Sequence, residues 1–160
     1  MTGLVPPLPQ AMHAAEALRG LHDAQVDHLG VAVASLDASV GFYRTLLGVE
    51  PVLHTLDSQG IAVAMFQLAN LRIELLAPIG AESPITDVLE DHTIQAFIAR
   101  HPQGGLHHVC YVVKDLDAAN PPGTRRLGRG VPIIGASGQP IVFLDPASTG
   151  GVLIELKQAA

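Results

Sequence analysis

A chain of 160 residues has the length of one domain, and with 48% hydrophobic residues it can bury a substantial core. A charged fraction of 15% is too low for a disordered chain, and a net charge of −6 without a Lys/Arg run argues against nucleic acid or an anionic membrane surface as partner. The single cysteine, Cys110, excludes an internal disulfide and suits a reducing, cytoplasmic setting. No apolar run approaches the roughly 18–20 residues of a membrane span.

Residues 1–25 read as an N-terminal extension. Three prolines fall within Met1–Gln10, and residues 11–24 (AMHAAEALRGLHDA) have the makings of a short helix weakened by Gly20. The segment lacks the basic start and apolar block of a secretory signal, so it is expected to pack on the surface or on a partner subunit. Residues 26–34 alternate and are rich in Val, a strand pattern. Leu36, Val40, Tyr43 and Leu47 then recur at helical spacing, and Gly48 ends the helix. Strands at 49–57, 60–68 and 71–78 follow, with turns at Gln59-Gly60 and Ala69-Asn70. The result is a β-α-β-β-β module over residues 26–80.

Ser83-Pro84 opens a helical linker, 83–101, with Ser as N-cap and Pro at the first helical position. Gly104-Gly105 starts a second module, 105–158, with strands at 106–114, near 125–134, at 140–145 and at 151–157. Its helix is cut short. After Leu116-Asp117-Ala118-Ala119 comes Asn120-Pro121-Pro122-Gly123, which a helix cannot run through, so a stub of one turn is expected.

The two modules share more than their element order. Val26-Asp27-His28-Leu29-Gly30-Val31 and Leu106-His107-His108-Val109-Cys110-Tyr111 are echoes that place His28 and His108 80 positions apart. Arg72-Ile73-Glu74-Leu75 and Leu153-Ile154-Glu155-Leu156 repeat at an offset of 81. One His and one Glu per copy can put two imidazoles and two carboxylates around one point on a pseudo-twofold axis. In each first strand the His shares its face with small or modest residues (Gly30, Ala32; Cys110, Val112), while Leu29, Val31, Val33 and Val109, Tyr111, Val113 form the face that suits a helix layer. The histidines therefore face a cavity. Glu74 and Glu155 interrupt apolar strands, where an unpaired charge is expensive and a metal supplies the missing cation.

Taken singly, a strand His is commonly structural and a strand Glu commonly faces solvent; the paired coincidence favours a metal. The set suits a divalent ion, Co²⁺ or Mn²⁺ first, with Ni²⁺ or Zn²⁺ as further candidates. His107 is expected on the opposite face from His108, in a supporting or structural role. His13, His22, His54, His92 and His101 fall in expected exposed helices or loops, and Cys110 reads as a small core residue.

These residues resemble the vicinal oxygen chelate (glyoxalase) superfamily and, within it, the methylmalonyl-CoA epimerase family. The echoes are Val-Asp-His-Leu-Gly-Val-Ala-Val (26–33), Phe42-Tyr43-Arg44, Glu74-Leu75-Leu76-Ala77-Pro78, Ser83-Pro84-Ile85, Gly105-Leu106-His107-His108 and Gly150-Gly151-Val152-Leu153-Ile154-Glu155-Leu156. The resemblance covers residues 26–158. It implies an α+β fold in which two tandem βαβββ modules form one domain, a cupped mixed sheet around one metal, in a homodimer. It further implies metal ligands at His28, Glu74, His108 and Glu155, with Gln in place of Glu74 in some relatives. The implied reaction interconverts (R)- and (S)-methylmalonyl-CoA by proton transfer at the α-carbon through an enolate, with Glu155 as the general base.

Three departures stand out. Val63 fills the place where some relatives carry a second carboxylate, so the second acid is unassigned. The second helix is short. Asp145-Pro146-Ala147 stands where relatives often have His-Pro-Lys, and Arg125, Arg126 and Arg129 are the cations left to meet an acyl-CoA. The alternatives are a glyoxalase-type isomerase, another metal enzyme of this superfamily such as a dioxygenase, and a small-molecule-binding protein without catalysis. Fold alone does not separate them.

Overall fold

The computed structural model describes residues 20–160. Eight strands form one curled mixed sheet: β1 (Gln25–Ala32), β2 (Val52–Leu56), β3 (Ile61–Gln67), β4 (Arg72–Pro78), β5 (Gly105–Val113), β6 (Ile133–Ile134), β7 (Pro140–Leu144) and β8 (Ile154–Gln158), in the order β2-β3-β4-β1-β5-β8-β7-β6. That order reads the same from either end. The antiparallel pair β1–β5 forms the centre, flanked by the parallel pairs β1–β4 and β5–β8, and each half continues outward antiparallel. The repeat seen in the sequence is thus a pseudo-twofold of the sheet.

Helix α1 (Leu36–Leu47) covers the outer face of the first half. Ser35 caps its start by accepting from the Ala38 amide, and Gly48 ends it at φ 67°, a left-handed conformation that disfavours a side chain. Leu36, Val40, Tyr43 and Leu47 pack on Val33, Phe66, Leu75 and Ala77, the face assigned to the helix layer. The second half has no such helix. The Asp115 carboxylate accepts from the amides of Asp117 and Ala118 and starts a turn, but Pro121 and Pro122 follow at once and not even the expected stub of helix forms. Leu116, Ala119, Leu21 and Ala24 cover that part of the sheet instead, against Val142, Leu144 and Leu156. The helix expected over 11–24 lies outside the described residues except for 20–24, which form a turn.

Two further expectations are corrected. The linker is not one helix but α2 (Thr86–Leu89), a 3-10 turn over 90–92, and α3 (Ile94–Arg100). The break falls at Glu90, whose φ of 55° takes the chain out of the helix, and Thr93 caps the new start by accepting from the Ala96 amide. The strand expected near 125–134 survives as Ile133–Ile134 plus one bridge from Arg126 to Leu144. Gly128 and Gly130 adopt φ of 60° and 69°, which no extended strand tolerates.

The linker closes the concave side of the sheet. Ile94, Phe97 and Ile98 pack on Ala32, Ile61, Val63 and Leu76 of the first half, while Ile85 and Leu89 pack on Ile141, Phe143 and Leu153 of the second. Between these two cores lies a cavity over the central strand pair.

Candidate metal centre and active site

Strand pairing delivers the four predicted residues to one point. Gly30 pairs with Glu74 across the parallel β1–β4 ladder, and Cys110 pairs with Glu155 across β5–β8. Across the central antiparallel pair, Gly30 faces His108 and Cys110 faces His28. Each imidazole therefore lies over the small residue two positions beyond the other imidazole. The fit at Gly30 is tight: a Cβ there would stand 2.1 Å from His108 Cε1. Glycine is present so that the ring can lie flat against the backbone.

His28 Nε2 lies 3.1 Å from His108 Nε2, 3.1 Å from Glu74 Oε2 and 3.8 Å from Glu155 Oε2. His108 Nε2 lies 3.1 Å from Glu155 Oε2 and 3.5 Å from Glu74 Oε2. All four side chains are buried, Glu74 at 3% and Glu155 at 5% exposure. His28, His108 and Glu155 meet the spacing of a metal-holding group, and Glu74 reaches both imidazoles from the other side. Two buried carboxylates and two converging nitrogens fit a divalent ion; burying them otherwise requires protons to take its place.

The protonation pattern is what such a donor set develops with protons alone. Burial works against a charged His28, but the hydrogen bonds to Asp27, Cys110 and Glu74 overcome it and raise the imidazole to about 12. His108 is raised too, its burial outweighed by Glu155 and Glu74. Glu74 is held well below the usual carboxylate range because the two imidazoles outweigh its burial. Burial pushes the Cys110 thiol up to about 12, so it is a packed residue and not a nucleophile.

Of the two residues that support the imidazoles, Asp27 escaped the sequence reading and His107 was expected in a supporting or structural role but on the wrong face; both positions arise from bulges. Along β1, Val26 pairs with Tyr111 and His28 with Cys110, so Asp27 is the extra residue; along β5, His108 pairs with Gly30 and Leu106 with Val31, so His107 is the extra residue. A bulge turns the residue before each ligand onto the ligand's own side. His107 was expected on the opposite face. It instead joins His108 in lining the cavity.

The consequence is a matched outer layer. Asp27 Oδ2 accepts from His28 Nδ1–H at 2.7 Å, so the Nε2 of His28 is the nitrogen aimed into the site. His107 Nε2–H donates to the His92 carbonyl at 2.8 Å, leaving its Nδ1 to accept from His108 Nδ1–H at 2.9 Å. Burial, then the charge of His108, lowers His107 to about 3, which keeps it neutral for that role. Asp27 and His107 are also 80 positions apart, a signal present in the chain.

The walls of the cavity include Gln59, Thr93, Leu89, Ile141 and Phe143. Among the described residues the remaining histidines stay outside the donor set: His101 is exposed and stacks on Phe97, and His92 contributes only its carbonyl. His13 lies outside the described residues. The three arginines are engaged elsewhere, Arg125 with Asp145 and Glu90, Arg126 with the Leu116 carbonyl, Arg129 with Asp87.

Residues 27–121 match the Glyoxalase/Bleomycin resistance protein/Dioxygenase superfamily. The chain is 40% identical over 139 residues to the ethylmalonyl-CoA/methylmalonyl-CoA epimerase of Cereibacter sphaeroides, covering 84% of this chain and 97% of that one. The chain belongs to the methylmalonyl-CoA epimerase family. It is 37% identical to the mitochondrial methylmalonyl-CoA epimerase of Mus musculus, over 84% of this chain and 73% of that protein. Among solved structures, a variant of the Streptomyces coelicolor methylmalonyl-CoA epimerase in complex with 2-nitronate-propionyl-CoA superposes with a TM-score of 0.72 at 30% identity, over 85% of this chain and 97% of that one. The chain is thus an isomerase of the epimerase class on the glyoxalase fold, with a candidate divalent-metal site. Among the described residues no helix is long and apolar enough to cross a membrane.

Proposed function

We propose that residues 26–158 interconvert (R)- and (S)-methylmalonyl-CoA, with a divalent ion, Co²⁺ or Mn²⁺ in first place, held by His28, Glu74, His108 and Glu155. The observation that carries the reading is the convergence of two carboxylates from opposite halves of the sheet on one buried pair of imidazoles. When bound, the ion supplies a Lewis acid for the oxygens that gain charge as the α-proton leaves.

The protein's own groups move the proton. Epimerisation requires removal from one face of the α-carbon and return to the other. Among the described residues, Glu74 and Glu155 are the only carboxylates lining the cavity. They sit on β4 and β8, on opposite sides of the central β1–β5 pair. Glu155 takes the proton on one face. On the other face Glu74 is our choice for the role left open by Val63: ionised in the resting site, it takes a proton from solvent before returning it, and Glu155 gives its own back to solvent. His107 and Asp27 hold the two imidazoles in register, and the apolar walls keep bulk water from the carbanion.

The protein works in the cytoplasm as a homodimer on an acyl-CoA, without nucleic acid or membrane partners, and residues 1–25 are an extension to this unit. The test is to incubate Co²⁺-loaded protein with methylmalonyl-CoA in D₂O and follow the α-proton by NMR beside a chelated sample. Chelator-sensitive wash-out with interconversion of the two forms supports the reading. No acceleration by folded, loaded protein removes it for this substrate.

A further inference from the structure

The pseudo-twofold fails in charge at a buried position. Two residues beyond Glu74 stands Leu76, and two residues beyond Glu155 stands Lys157; both are buried, Lys157 at 7% exposure. In a strand, residues two apart share a face, so the Lys157 side chain lies on the site's side of the sheet. A buried ammonium is unfavourable unless it is paired and fully hydrogen-bonded. Lys157 Nζ lies 2.8 Å from Asp27 Oδ2 and 3.3 Å from Ser137 Oγ. The same Oδ2 accepts from His28 Nδ1 at 2.7 Å and from the Arg72 guanidinium. Three donors thus converge on one oxygen of a bulged residue. Asp27 has no ladder neighbour to fix its backbone, so its cationic partners fix its side chain.

We propose that Lys157 is a positioning residue for the metal site: it clamps Asp27, and through Asp27 it sets the orientation of His28. The chain of contacts runs from Ser137, in the β6–β7 turn beside the cavity-lining Ala136, through the ammonium and the carboxylate to the imidazole. This gives His28 a rigid anionic support, whereas His108 leans on the neutral His107. The two ligand imidazoles are therefore unequal donors on a nearly symmetric frame. The proposal rests on the metal reading of the site, and its mechanism is orientation of a ligand by an outer partner.

The competing reading is that Lys157 merely neutralises Asp27, in which case Lys157→Met costs stability but leaves Co²⁺ affinity and the His28 resonance unmoved. Lys157→Met and Lys157→Arg, each alone and with Asp27→Asn, separate the two. Measured are Co²⁺ affinity by competition with a chelator, the His28 Nδ1–H resonance of metal-stripped protein, and kcat and KM. We expect Lys157→Met to weaken Co²⁺ binding by about 10-fold or more, to shift the Nδ1–H resonance, and to lower kcat with KM little changed. Lys157→Arg should recover most of each effect. In the Asp27→Asn background Lys157→Met should add less than about 2-fold, because the residue acts through Asp27.

Wild-type Co²⁺ affinity in folded Lys157→Met, or an undiminished loss in the Asp27→Asn background, overturns the proposal. Should Lys157→Met fail to fold, Lys157→Gln carries the same comparison. If the wild-type protein itself does not bind Co²⁺, the metal reading falls, and the Nδ1–H resonance alone then decides whether Lys157 positions His28.

Discussion

Gly30→Ala isolates the close approach on which the site depends. Gly30 does not use a left-handed backbone, so alanine meets no conformational penalty there; only the His108 ring is in the way. The new Cβ would stand 2.1 Å from Cε1, 2.4 Å from Nδ1 and 2.6 Å from Nε2 of that ring. To reach an ordinary contact of about 3.4 Å the ring must retreat by 3.4 − 2.1, about 1.3 Å. A metal–imidazole bond is roughly 2.0–2.1 Å long and does not survive such a shift. Co²⁺ affinity should fall at least about 100-fold.

Stability responds separately. Overpacking costs about 1–3 kcal/mol, and the lower entropy of the unfolded alanine chain returns about 0.4–1 kcal/mol. The net loss is up to about 2.6 kcal/mol, or up to roughly 10 °C in Tm for metal-stripped protein of this length. Gly41→Ala is the control. Gly41 lies inside α1 with nothing near its missing side chain, so the same substitution there should raise stability by about 0.5–1 kcal/mol and leave Co²⁺ binding alone. Chelator competition and thermal unfolding of both variants provide the readout. A Gly30→Ala protein that keeps its Co²⁺ affinity and gains stability like Gly41→Ala would refute the stacking of His108 on β1.

Metal binding should release protons: His28, raised to about 12, holds one at pH 7 in the stripped protein, His108 is raised too, and Co²⁺ must displace what they carry. Calorimetry in buffers of different ionisation enthalpy should count at least one proton, and apparent affinity should rise with pH; no release would mean neutral imidazoles. Glu155→Gln should slow epimerisation by at least about 100-fold. Glu74→Gln keeps an oxygen in place, so one enantiomer should still exchange its α-proton with D₂O while interconversion slows, which stereospecific NMR would detect; equal slowing for both enantiomers argues against a two-carboxylate mechanism. Phe66→Ala, fully buried under α1, should cost about 3–5 kcal/mol in denaturant unfolding while changing Co²⁺ affinity by less than about 2-fold, because the residue lies on the outer side of the sheet.

Local pattern was sufficient for every strand except the one near 125–134, for α1 and for the four inward residues. Alternation of side chains is a property of the extended chain itself, and a cap such as Gly48 acts within a few residues, so both are legible without tertiary information. Duplication then supplied long-range knowledge that a single strand lacks: His28 and His108 had to be equivalent, and so did Glu74 and Glu155. The tertiary structure decided what depends on register between distant segments. The two bulges in β1–β5 exist only once the strands pair, and they turned Asp27 and His107 toward the ligands against the alternation rule. Gly128 and Gly130 dissolved a strand that hydropathy alone supported, because backbone sterics outrank side-chain pattern where φ is positive. Lys157 was a polar residue on an apolar strand, visible from the start. Its meaning waited for Asp27, since a buried charge is explained only by the partner that folding brings to it.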